Sequence, residues 1–375
     1  MACGYRYGDE TMNTNPVVGL LPVDFTKAIK RMAFLLAGVL LSLCFMPCGT
    51  ADAREIVDMA GRKVTLPETI HKVFVPSPYG SYIVYSIDPS LLISFRSPDK
   101  EYKSCLNKAV HDLPDIGRLS GPDRQSGMEA VMRAKPDIVL MWSTSRSIAK
   151  KTKEKNPLNQ LSIPTVYVVA ESINDYPDIY LFLGKLLGKE KRTRQLSAYF
   201  RNTLLDAEKV VDPIPGDKRP SVYYAEEADG LITECNDSIH VELLQLAGDV
   251  DVHRCHTSCH KGMEKISLDQ LLRYDPDVIL VRESAFYSRI MKTTDPAWQG
   301  LKAVREGRVY IIPRAPFNWF DRPPSFMRIM GLKWLLNCLY PDSYKIDIVS
   351  EAREFYQLFL NVDVSEADMQ RIIFE

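Results

Sequence analysis

Charge of either sign is missing as an excess. Lys and Arg number 47 against 48 Asp and Glu, for a formal net charge of -1 at pH 7. Such a chain has no bulk attraction for nucleic acid or for an anionic membrane, and no basic run resembles a nucleic-acid arm. Glycine is sparse, at 19 residues among 24 scattered prolines, which excludes collagen-like and low-complexity chains. A hydrophobic content of 46% excludes disorder. Several catalytic signatures are also absent: Gly-x-Ser-x-Gly, the P-loop, Gly-x-Gly-x-x-Gly and His-Glu-x-x-His. Paired acids such as Glu226-Glu227 are adjacent rather than convergent, as a solvated surface explains. The sequence therefore points to a binding protein rather than an enzyme. Its 375 residues suffice for two domains.

Long apolar runs are missing with one exception. Lys27, Lys30 and Arg31 precede the apolar stretch from Met32 to Met46, and Ala51-Asp52-Ala53 follows. A positive flank, a short apolar run and an A-x-A site make a secretory signal. At about 15 residues the run is shorter than the roughly 20 that span a bilayer. An uncleaved anchor is the alternative. Leu43 before Cys44 disfavours a lipoprotein, and the long leading segment suggests that translation starts at Met12 or later. Residues 1–53 read as the leader, the mature chain starts near Arg54, and the location implied is the periplasm. Five cysteines then remain, Cys105, Cys235, Cys255, Cys259 and Cys338. Export allows disulfides, but an odd count leaves at least one thiol free or bound to something.

The mature chain alternates short strands with helices. Strands are expected at 72–75, 91–95, 138–141, 165–169, 221–224, 278–281 and 309–313, and continuous β-branched runs of this kind form parallel sheets covered on both faces. From Tyr176 to about Lys209 apolar residues recur at helical steps, although Gly184 and Gly188 weaken the pattern, and Asp212-Pro213-Ile214-Pro215-Gly216 closes it. Residues 128–140 are echoed by 267–280, about 140 residues later: a short helix, Pro136-Asp137 or Pro276-Asp277, then a buried strand. Two similar lobes follow, 54–175 and 212–375, joined by one interdomain helix at 176–211. The fold class is α/β, two Rossmann-like lobes with a ligand cleft between them.

This order of segments resembles the helix-hinged solute-binding proteins of ABC importers, the group that takes up ferric siderophores, haem, cobalamin and related metal chelates. The likeness is carried by Ile56 to Pro67 as an opening hairpin, Pro114-Asp115-Ile116-Gly117 as a loop, the two Pro-Asp-strand units, and Trp298 to Pro313. It implies limited hinge motion, ligand held where strand ends face a shared crevice, and delivery to an inner-membrane ABC permease by a monomer with no required cofactor. The rim loops would be 77–80, 142–145, 226–231, 282–283 and 317–322. From them Tyr79, Trp142, Trp319 and Phe320 would lie against a flat or apolar chelate, unless Trp319 and Phe320 pack the lobe core. Arg282 and Arg322 would pair with its oxygens. Glu129 and Asp269 match the acidic residues that dock such proteins on the permease; Asp269 stands where the family usually has Glu, and Glu264 is an alternative.

One segment stands outside that pattern. His253, Cys255, His256, Cys259 and His260 fall within eight residues, a density of soft ligands that suits a transition metal or metal chelate. Three readings stay open: a metal contact, a Cys255–Cys259 disulfide or plain solvated loop, and covalent haem on Cys255-x3-Cys259-His260 in a redox or sensor protein. With only His71 and His111 in the first lobe, a bare ion held between both lobes is disfavoured.

Overall fold

In the computed structural model the residues described are 53–97, 100–116, 124–145, 158, 162–248, 250–256 and 262–375. The leader falls outside them apart from Ala53. Among the described residues no helix is long and apolar enough to cross a membrane. The chain opens with the hairpin β1 (Ala53–Val57) and β2 (Lys63–Pro67), turned at Gly61, whose φ of +78° favours glycine. Buried Asp58 pins this turn to the first lobe. Its carboxylate accepts the amides of Arg62 and Tyr167 at 2.9 and 3.0 Å, while Arg62 covers the Tyr167 ring at 4.2 Å.

Two parallel three-stranded sheets follow. The first is ordered β3 (Val73–Phe74), β4 (Ile138–Ser143), β5 (Thr165–Val169). The second, counted on in chain order, takes β6 (Val222–Ala225), β9 (Val278–Val281) and β10 (Val309–Ile311) in the order β10-β9-β6. Between them in sequence a small antiparallel pair forms from β7 (Ile232–Thr233) and β8 (Glu264–Lys265). Every residue of β6 and β9 is buried, as strands covered on both faces require. The expected strand at 91–95 is instead a 3-10 turn, Pro89–Leu91, and a single bridge from Leu92 to Val73.

Helices α1 (Pro78–Ile87) and α2 (Arg124–Ala134) belong to the first sheet. Tyr79 therefore sits in the first turn of a helix, not in a loop. The expected single helix over 176–211 is two, α3 (Tyr176–Leu187) and α4 (Glu190–Val211). Gly188 separates them at φ +66°, a left-handed cap whose amide donates to the Gly184 carbonyl. The helices also pack closely, since a Cβ on Gly184 would lie 2.0 Å from Thr193 Oγ1. The long connecting helix is thus α4 alone, which buries Leu196, Phe200, Thr203, Ala207 and Val211 at three- and four-residue steps.

In the second lobe α5 (Glu242–Leu246), α6 (Leu268–Tyr274) and α7 (Ser284–Ile290) lead to the tail helices α8 (Arg328–Leu339), α9 (Ile348–Phe355) and α10 (Glu366–Phe374). A π turn at Tyr356–Leu360 extends α9 onto the first lobe. There Tyr85 Oη donates to the Leu360 carbonyl at 3.0 Å, Arg192 donates to that of Leu358, and the Phe359 ring meets Tyr180, Tyr199 and Phe200. One buried apolar cluster runs from α1 through α4 to α8 and the tail. The tail is a second tie between the lobes beside α4.

Candidate functional site

The C-terminal ends of both sheets open onto one crevice, the place where open α/β sheets hold ligands. Three cavities line it. One of about 490 Å³ lies against Ser77, Tyr79, Tyr82, Arg96 and Pro323. A second, about 330 Å³, is walled by Tyr82, Arg96, Arg282, Arg314, Phe317 and Arg322. The third, about 660 Å³, reaches toward α3 between Tyr79, Trp142, Tyr176, Asp237, His240 and Arg328. Tyr82 and Phe317 stack across the crevice with ring centroids 3.7 Å apart.

Four guanidiniums face the second cavity, and they differ in how far they are neutralised. Arg96 pairs with Asp115 at 2.9 Å. Arg322 pairs with Glu226 at 2.6 Å and also meets Glu234 and Asp321, all three acids being fully buried. Each of these acids leaves one carboxylate oxygen without a hydrogen bond. Burial, aided by the charges of Glu234 and Asp321 and only partly offset by Arg322, pushes the Glu226 carboxyl up to about 7. Arg282 approaches Glu227 and Glu283 only at 3.8 and 3.4 Å, beyond good hydrogen-bond length. Arg314 donates to Tyr102 Oη at 3.1 Å and has no carboxylate partner among the described residues. Arg282 and Arg314 thus keep donor capacity for a ligand.

Behind the third cavity the lobes are bound by a buried polar junction. Glu242 accepts from the Ser172 hydroxyl and the Ile173 amide at the 3-10 turn that follows β5, and pairs with Arg328 at 2.9 Å. His240 Nδ1 lies 2.7 Å from Asp321.

Of the residues named from sequence, Tyr79, Trp142, Arg282 and Arg322 reach cavity walls. Trp319 and Phe320 do not. Both are 0% exposed; Trp319 donates its indole N–H to the Ala315 carbonyl at 3.2 Å, and Phe320 packs on Tyr224. They support the rim from the core, and Phe317, three residues before Phe320, supplies the aromatic face instead. Sequence reading passed over Arg96, Tyr82, Arg314, Arg328 and Glu242. Arg282 follows β9 directly and Arg314 lies three residues past the end of β10, and that position beyond a strand's C-terminal end is the available signal.

The His/Cys segment is corrected most. Cys255 forms a disulfide with Cys235, twenty residues upstream, so in this state it neither pairs with Cys259 nor offers a thiolate to metal or haem. His253 is buried with Nδ1 at 2.9 Å from Tyr274 Oη, and His256 is exposed beside Asp237. Cys259 and His260 lie outside the described residues. Glu129 is exposed on α2 with Arg133 at 3.9 Å, and Asp269 is exposed in the first turn of α6.

This arrangement has close counterparts. Residues 98–316 match the model of a periplasmic binding protein family. A solved ABC transporter solute binding protein from Sulfurospirillum deleyianum is 36% identical, with a TM-score of 0.75, over 85% of this chain and 98% of that one. The molybdate-binding protein MolA of Haemophilus influenzae is 26% identical over 353 residues, 88% of this chain and 97% of that protein. An iron-uptake system-binding protein of Bacillus subtilis is 22% identical over 300 residues, 76% and 91% of the two chains. The chain belongs to the periplasmic binding protein family, with the two-lobed α/β fold of ABC-transporter solute-binding proteins. These relatives are described as binding proteins.

Proposed function

We propose that the protein captures an anionic metal chelate in the crevice and delivers it to an inner-membrane ABC permease. The observation that carries this reading is the pair Arg282 and Arg314, two guanidiniums with spare donors on one cavity wall, beside the Tyr82–Phe317 stack. Charge-assisted bonds to carboxylate, catecholate or propionate oxygens, with burial of an apolar chelate face, supply the affinity. Within the chelate class this favours ferric siderophores, ferric citrate or haem over cobalamin. On this reading the lobes are 54–175 and 212–375 and α4 acts as the hinge. Glu129 and Asp269 meet the permease, the segment 1–53 exports the chain, and the working form is a monomer.

The test is native mass spectrometry with elemental analysis of protein purified from periplasm, followed by titration with ferric citrate, a catecholate ferric siderophore, haem, cobalamin and molybdate. Saturable binding of a ferric chelate or haem, weakened in Arg314→Ala, is the expected result. Binding of molybdate alone would replace the chelate with an oxoanion. Glu129→Ala and Asp269→Ala should leave affinity unchanged and lower permease-dependent uptake.

A further inference from the structure

Cys235, His253 and Cys255 line none of the three crevice cavities. They offer ligand atoms that all lie within 4.8 Å of one another. We propose that reduction of the Cys235–Cys255 disulfide opens a metal site in which both thiolates and His253 bind one thiophilic divalent ion such as Zn(II).

Three observations carry this. First, the loops bearing the sulfurs are held together by more than the disulfide. The Asn236 amide donates to the His253 carbonyl at 3.0 Å, and the Cys255 amide donates to Asn236 Oδ1 at 3.2 Å. Within the first of these loops the Ser238 amide also donates to the Cys235 carbonyl at 2.8 Å, which fixes the turn that carries Cys235. Opening the S–S bond therefore need not separate the thiols. Second, Tyr274 Oη occupies His253 Nδ1 at 2.9 Å and leaves Nε2 as the ligand nitrogen, the outer-shell arrangement that orients metal-binding imidazoles. Third, Cys235 is buried while Cys255 is half-buried, so a reductant reaches the bond from the Cys255 side. The chemistry balances. A dithiol reductant passes two electrons and two protons to the disulfide and is itself oxidised to a disulfide. Metal binding then displaces the two thiol protons, and water completes the tetrahedral set.

The test uses the full-length exported protein, oxidised or treated with a dithiol and exchanged into anaerobic buffer, with Zn(II) and Co(II) as probes. About one equivalent of Zn(II) per chain should bind the reduced form and none the oxidised form, and Co(II) should give thiolate-to-metal charge-transfer bands. His253→Ala keeps the disulfide, which a thiol count verifies, and should weaken Zn(II) binding after reduction. Tyr274→Phe should weaken it by about tenfold. Cys259→Ser should leave it intact. The proposal is overturned if the reduced protein binds no Zn(II), if it loses its near-UV circular dichroism on reduction, or if Cys235→Ser with Cys255→Ser still binds. Chelate binding in the crevice is read separately with metal-loaded chelates on the oxidised protein, so either reading can fail alone.

Discussion

In the first sheet Asp137 accepts the amides of His71 and Lys72 at 2.6 and 2.8 Å. In the second, Asp277 accepts the amide and hydroxyl of Ser221 at 2.7 and 2.9 Å. Both aspartates follow a short helix that ends on a residue with positive φ, Lys135 at +49° and Asp275 at +39°. Each fastens the start of its sheet's first strand to the strand that follows the aspartate. The Pro-Asp echo is therefore a repeated fastening with a mechanical reason for its spacing. Past the strand ends the likeness stops. The first lobe presents Ser77, Tyr79, Trp142 and Thr144, with Arg96 matched to Asp115. The second presents Arg282, Arg314 and Arg322 over three buried acids. Strand cores are held to one plan by packing, while rim loops are free to diverge into a neutral platform and a charged clamp.

The asymmetry should break most visibly at the arginines. Arg322→Ala leaves Glu226, Glu234 and Asp321 buried without their cation, and should cost about 3 kcal/mol in urea unfolding. Its opposite number, Arg96→Ala, removes an exposed pair and should cost less than about 1 kcal/mol. Equal losses would mean that the two rims are not electrostatically different. Next in size is ligand capture. Loss of the charge-assisted bonds in Arg314→Ala should weaken chelate affinity by about tenfold to a hundredfold without changing stability, measured by fluorescence titration. The fastenings should behave alike: Asp137→Ala and Asp277→Ala are each expected to lose about 1–2 kcal/mol. A large gap between them would show that the echo is one of sequence only.

Much of this plan could be read from residues alone. Buried strands of continuous Val, Ile and Leu fix their own type, and β5 falls on 165–169 as expected. The Pro-Asp echo survives because its hydrogen bonds are local to each sheet. Other features depend on long-range partners that spacing does not encode. Cys255 had a nearer candidate in Cys259, yet Cys235 is brought beside it by the backbone bond from Asn236 to His253. Trp319 and Phe320 carry side chains that suit either a rim or a core. What turns them inward is close packing of the rim on α8, where a Cβ on Gly331 would lie 1.8 Å from the Trp319 carbonyl oxygen. Gly188 was visible as a weak point in the long helix, and the left-handed cap turns that weakness into a break.

The smallest expected effect concerns pH and separates two kinds of carboxyl in the charged lobe. Asp277 is partly desolvated, but bonds from Lys302 and from the Ser221 amide and hydroxyl outweigh that and lower its carboxyl below the ordinary range. Its stabilisation is present above the unfolded-state pKa and is lost as pH falls through the folded value. Glu226 has the opposite sign. With its folded carboxyl at about 7, the native state holds a proton that the unfolded chain has released above its ordinary value of 4.5. Proton linkage then makes the Glu226 contribution full below about pH 4.5 and steadily smaller as pH rises toward 7. Glu226→Gln cannot release a proton and still offers an oxygen to Arg322, so unfolding free energies between pH 4.5 and 7 should fall less steeply than in the wild type. An unchanged slope would show that Glu226 is not the group that holds this proton.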